Sequence, residues 1–115
     1  MRNRPQRNNN PLNLRFANQA EAIGRDKDGF AIFPWPEAGW RAGHAEIRLE
    51  TKRGLNLEQL IRQWAPPSEN KTSEYLGFIC RELGVEPGTR LSAISEYALA
   101  GVMAQMEGAF QINPT

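Results

Sequence analysis

The chain has 115 residues, enough for one domain and too few for several. Apolar residues make up 40% and charged residues 23%, which supports a packed core and argues against a disordered chain. The formal net charge of +1 is too balanced to imply a nucleic-acid or membrane partner for the chain as a whole.

The charge is nevertheless uneven. The first fifteen residues carry Arg2, Arg4, Arg7 and Arg15 and no acid, together with Asn3, Asn8, Asn9, Asn10 and Asn13. With nothing apolar to bury before Leu12, residues 1–10 read as a basic, mobile arm, either a solvated tail or a segment that docks on a partner through Arg2, Arg4 and Arg7. Residues 11–110 then form a single α+β domain, and 111–115 a short tail.

Within the domain, Leu12, Leu14 and Phe16 alternate with polar residues, so residues 11–18 read as a half-buried strand. Gly24, Asp26, Asp28 and Gly29 supply turn chemistry, and 30–33 (Phe-Ala-Ile-Phe) read as a second strand, which gives a short β-hairpin. Pro34 and Pro36 bracket Trp35 and end that strand, leaving Trp35 the aromatic most apt to be exposed. A helix can begin at Pro36, with Ala38, Ala42, Ala45 and Leu49 as its apolar stripe and Ile47 and Trp40 beside it, ending in Lys52, Arg53 and a Gly54 cap.

Asn56 is the expected N-cap of a short helix that places Leu57, Leu60, Ile61 and Trp64 on one face. Pro66 and Pro67 stop it and make a stiff corner, Trp64 to Asn70. A third helix starts at Asn70 or Thr72, turns Tyr75, Leu76, Ile79, Cys80 and Leu83 inward, and ends at Gly84. Pro87-Gly88 makes a turn. Ser92 is read as the cap of the last helix, with Ile94, Tyr97, Ala98, Gly101, Val102 and Met106 facing in, and Gly108 ending it. The sum is α+β: a short N-terminal β-hairpin followed by about four helices.

Chemistry-bearing motifs are sparse. One Cys and one His cannot build a disulfide framework or a zinc site, and Cys80 reads as a small core residue. No metal or cofactor is expected: there is no Gly-rich phosphate loop, nucleophile elbow or Walker pattern. The first residues lack the apolar core of a secretory signal, and nothing approaches a membrane span, so synthesis and folding in the cytoplasm are expected.

Two readings compete over the remaining polar residues. The amides Asn9, Asn10, Asn13 and Asn70, with Arg15, Trp35 and Tyr75, could present hydrogen bonds and stacking surface to a sugar or a protein partner. They could equally tie loops together. Phe30, Phe33, Trp40 and Trp64 could extend an aromatic wall, or could serve the core. Glu69, on the proline corner, is the one candidate for a catalytic general acid, against the alternative that it favours the start of the next helix.

Four strings occur in one order: Asn9-Asn10-Pro11-Leu12-Asn13-Leu14-Arg15, Gly29 to Phe33, Pro36 to Ala42, and Trp64 to Asn70 followed by Tyr75. In this the chain resembles a family of small bacteriophage and prophage proteins generally described as virion structural proteins, over about Asn8 to Gly84. More distantly, it is similar to the second half of the flagellar-type and autolysin-type glucosaminidases of the lysozyme superfamily. In those enzymes the catalytic Glu lies on a helix ahead of the Asn-Asn string. None of the eight residues ahead of Asn9 in this sequence is Glu or Asp, so the resemblance carries that acid to no position here. The expectation is a domain that kept the surface and lost the chemistry, one that recruited another carboxylate, or one whose other half comes from another chain.

The resemblance implies a virion location, made in the host cytoplasm, and a non-enzymatic tail or baseplate component. It implies a lysozyme-like remnant docked to other virion proteins in a multi-copy assembly. The alternative it implies is a peptidoglycan-binding or peptidoglycan-cleaving module of glucosaminidase or lytic transglycosylase type. Nucleic-acid binding through the arm is the weakest of the three.

Overall fold

The computed structural model describes residues 2–67 and 71–110. In chain order the elements are α1 (Arg4–Arg7), β1 (Gly24–Arg25), β2 (Ala31–Ile32), α2 (Pro36–Lys52), α3 (Leu57–Trp64), α4 (Thr72–Leu83), a 3-10 turn at Leu91–Ala93, and α5 (Glu96–Glu107). The fold is α+β, with a two-stranded antiparallel hairpin ahead of the main helices. The chain divides into two compact units. Unit 1 comprises 1–45 and 103–115, and unit 2 comprises 46–102.

In unit 1 the hairpin pairs Gly24 with Ile32 and Arg25 with Ala31. This corrects the expected partner strand at 11–18. That segment lies alongside residues 29–31 through a single Arg15–Phe30 bridge, with Ala31 N donating to Leu14 O and Phe16 N to Gly29 O, both at 2.9 Å. It cannot run on as a strand, because Asn13, within the alternating run, and Asn18, just after it, have φ of 54° and 55°, which are left-handed conformations. The alternation was still informative: Leu12 and Leu14 are buried with Ala31 and Phe33.

The expected mobile arm is also corrected. Residues 4–7 are helical, and Asn3 closes a capping box with Gln6: its Oδ1 accepts from Gln6 N, and the Gln6 side chain accepts from Asn3 N. Asn3 Nδ2 further donates to Gly108 O at 2.7 Å. What the segment lacks in apolar area it supplies in satisfied amides.

In α2 the buried residues are Ala38, Gly39, Gly43, Ile47 and Glu50, so the stripe is rotated from the expected Ala38-Ala42-Ala45-Leu49 and Leu49 is exposed. Two glycines decide this. A Cβ on Gly39 would collide with the Asn9 carbonyl oxygen and Pro11, and one on Gly43 with the Leu12 side chain. The helix thus turns its glycines, rather than its larger alanines, toward the 9–12 segment.

In unit 2, Asn56 and Gln59 form a second capping box at the start of α3, which buries Leu57, Leu60 and Ile61. Helix α3 packs against α4, whose buried residues are Thr72, Tyr75 and Ile79 and which ends on left-handed Gly84. The 87–91 segment closes over the start of α3: Leu57 N donates to Thr89 O and Glu58 N to Pro87 O, each at 2.9 Å, and Asn56 bridges Arg90.

Helix α5 starts later than expected. Ser95, not Ser92, accepts from a first-turn amide, that of Ala98, while Ser92 sits in the 3-10 turn. The buried residues of α5 are Leu99, Ala100, Met103 and Ala104, and Tyr97 is 77% exposed, the reverse of the expected face. The helix is apolar almost all round, so periodicity alone could not choose a side.

Candidate functional site

The polar residues singled out by sequence separate by unit. Asn9, Asn10, Asn13, Arg15, Trp35 and the arginines of the first turn belong to unit 1, and Tyr75 belongs to unit 2. Glu69 and Asn70 lie outside the described residues.

In unit 1 the asparagine string ties the N-terminal segment to the hairpin. Asn10 is fully buried. Its Nδ2 donates to Leu14 O and Ala31 O, and its Oδ1 accepts from Leu14 N, all at 2.9 Å. Asn8 is buried and donates to Asp26 Oδ2 at 2.9 Å, and its carbonyl accepts from Phe33 N at 2.8 Å. Asn9 has φ of 51° and donates to Phe33 O at 3.1 Å. Asparagine suits this string for two reasons: it tolerates left-handed φ better than other side chains, and its amide mimics the backbone groups it bonds. Asn13 donates to Glu107 Oε1 at 3.3 Å, leaving its own Oδ1 buried and unfilled.

Asp26 is the second anchor. Its Oδ1 accepts from Asp28 N and Phe30 N, both at 2.9 Å, which shapes the hairpin turn. Burial pushes its carboxyl up. The Phe30 amide, the Asn8 side chain, the Asp28 amide and the Arg4 charge outweigh burial and hold it below the usual aspartate value.

Beside this turn, the guanidinium carbons of Arg4 and Arg15 lie 4.1 and 4.5 Å from the Phe30 ring centroid. Arg4 also pairs with Asp28 at 2.8 Å and approaches Asp26 at 3.5 Å, while Arg15 donates to Asp28 O at 3.4 Å. Two of the four early arginines are thus engaged within unit 1. Arg2 and Arg7 are exposed, with Arg7 donating to Arg2 O at 2.9 Å.

The aromatics do not make one wall. Phe33 is core and Phe30 is covered by arginine. Trp40 stacks on Phe110 with centroids 6.0 Å apart and meets His44 at 6.4 Å. Trp35, on its Pro34–Pro36 bracket, is 53% exposed.

In unit 2, Tyr75 is 5% exposed and lies in the core. Thr72 Oγ1 donates to Ala65 O at 2.6 Å, fastening the start of α4 to the end of α3 across the proline corner. Burial, with the nearby Glu86 charge, pushes the Cys80 thiol up, which disfavours the reactive thiolate.

One group escaped the sequence reading. Glu50 is a 1% exposed carboxylate on α2, bonded to Arg53 at 2.8 Å, with Glu46 one turn ahead of it. The i,i+4 glutamates were visible in the string Glu46-Ile47-Arg48-Leu49-Glu50, but helix position alone does not show that Glu50 faces inward. Among the described residues no cluster of three or more His, Cys, Asp or Glu could hold a metal. No helix there is long and apolar enough to cross a membrane.

No protein-family model matches the chain. A curated protein does: Protein P5 of Pseudoalteromonas phage PM2, 34% identical over 109 residues, an alignment covering 88% of this chain and 68% of Protein P5. The chain belongs to the Protein P5 family. A bacteriophage protein is therefore among its relatives, as the order of the four strings led one to expect. The Protein P5 alignment takes in most of the chain and so is not confined to the asparagine string or to any one helix.

Proposed function

We propose that the chain is a structural component of a bacteriophage virion that works by docking to neighbouring virion proteins in several copies. The observation that carries this reading is the relation to Protein P5 of phage PM2 across most of the chain. The surface supports it. Ile23, Trp35 and Phe110 in unit 1 and Leu49 and Tyr97 in unit 2 are exposed large apolar side chains of the kind that assembly contacts cover. Arg2 and Arg7, both exposed and neither engaged with the Phe30 ring as Arg4 and Arg15 are, would supply a charged docking point. Most of the amides proposed to meet a ligand are already bonded within unit 1, which favours scaffold over catalysis.

The test is to raise antibody against the chain and apply it to purified particles of the phage that encodes it. Labelling at fixed positions is expected, and would also assign the place in the particle, tail or baseplate in the reading from sequence. Particles without label, with the chain confined to the lysate, would overturn the proposal.

The peptidoglycan reading has one observation in its favour, the exposed Trp35 held rigid by its flanking prolines. It predicts that the chain co-sediments with purified sacculi, that Trp35→Ala weakens this, and that Glu69→Gln abolishes any clearing of a cell-wall suspension. Absence of co-sedimentation removes this reading.

A further inference from the structure

We propose that Glu46 and Glu50 hold one proton between them, the Glu46 carboxyl donating to the unfilled oxygen of Glu50, and that this proton latches the C-terminal half of α2 within unit 2. The argument begins with Glu50. Its side chain is 1% exposed, Arg53 fills Oε1 at 2.8 Å, and Oε2 is buried with no donor. A buried carboxylate oxygen left in that state is costly and calls for a proton-bearing neighbour.

Glu46 stands one helical turn ahead, on the same face of α2. As a carboxylate it could only repel Glu50; as a neutral acid it has the O–H that Oε2 lacks. Glu46 is half-buried, and that burial, reinforced by the Glu50 charge and opposed by Arg53, pushes its carboxyl up. Other arginines of unit 2 are bonded to different partners. Arg48 forms a bidentate pair with Glu96 of α5 at 3.0 and 2.9 Å, and Arg90, ahead of the 3-10 turn, donates to Gly54 O at 2.8 Å. The latch sits where α2 ends, and Leu55 N closes back onto Glu50 O.

The direction of the pH effect follows. A carboxyl whose proton is held more tightly in the folded chain contributes stability at low pH and loses it as pH rises through its folded value. Thermal unfolding of the full chain between about pH 5 and pH 8 should show a melting temperature falling by a few degrees as pH rises. Glu46→Gln, whose amide donates at every pH, should flatten that dependence and melt above wild type at the upper end. Glu46→Ala should also be flat but melt below Glu46→Gln throughout. An unchanged pH slope in Glu46→Gln, or equal melting of the Gln and Ala variants, would overturn the latch. Carboxyl carbon NMR of the wild-type chain gives a readout independent of mutation: the Glu46 signal should titrate above the usual glutamate range, and titration within that range would overturn the proposal.

Discussion

At the scale of single residues, the asparagines are the part of the sequence whose meaning changed most. An amide row beside aromatics invites a ligand, yet Asn10 uses both its amide hydrogens and its side-chain oxygen inside the fold. Replacing it with Ala leaves the Leu14 amide without an acceptor in a fully buried position. We expect Asn10→Ala to destabilise by about 2–4 kcal/mol in urea unfolding, far more than a surface amide would. A change within the noise of the measurement would return Asn10 to the ligand reading. Asp26 makes a prediction of opposite pH sign to that of Glu46. Its carboxyl is held below the usual aspartate value, so its contribution is present above that value and fades as pH falls through the folded one. Acid unfolding monitored in wild type and Asp26→Asn should show the wild type losing its advantage as pH drops below about 4. Parallel acid curves for the two proteins would remove Asp26 as the hairpin anchor.

At the scale of elements, three helical glycines of similar appearance in sequence should behave differently. Ala is favoured over Gly in a helix by about 1 kcal/mol when nothing else changes. On α5, a Cβ at Gly101 meets no atom within 4 Å, so Gly101→Ala should stabilise by about that amount. On α2, the same change at Gly43 drives into buried Leu12, and at Gly39 into a backbone carbonyl that cannot rotate away. Gly43→Ala should cost about 1–3 kcal/mol despite the propensity gain, and Gly39→Ala at least as much. If all three variants were stabilised, the close approach of α2 to the 9–12 segment would be wrong.

The same elements show what was legible beforehand. Helix α3 could be read almost to the residue, because Asn56, Gln59, the apolar face and Pro66 all point to one answer. The face of α5 could not, since nearly every position is apolar and only tertiary packing selects Leu99, Ala100, Met103 and Ala104 over Tyr97. The partner of β2 was misplaced for a different reason. Leu12, Leu14 and Phe16 alternate as a strand does, but Asn13 and Asn18 take left-handed conformations that a strand does not accommodate. The candidate site was the least legible part. Side-chain amides that bond their own backbone cannot be told in a string from amides that await a ligand.

At the scale of the whole molecule, the family relation and the surface lead to one account. Protein P5 of phage PM2 matches 88% of the chain, and each of the two units exposes large apolar side chains, Trp35 and Tyr97 among them. Those exposed residues give the docking reading its molecular content: Tyr97→Ser or Trp35→Ser should leave the isolated chain folded while reducing its incorporation into particles. The most direct measurement of the central claim is quantitative mass spectrometry of density-purified virions against an isotope-labelled standard of this chain. The account predicts a fixed copy number per particle, above one and constant from preparation to preparation. A chain that is absent from particles, or whose amount varies freely with the degree of purification, would contradict it.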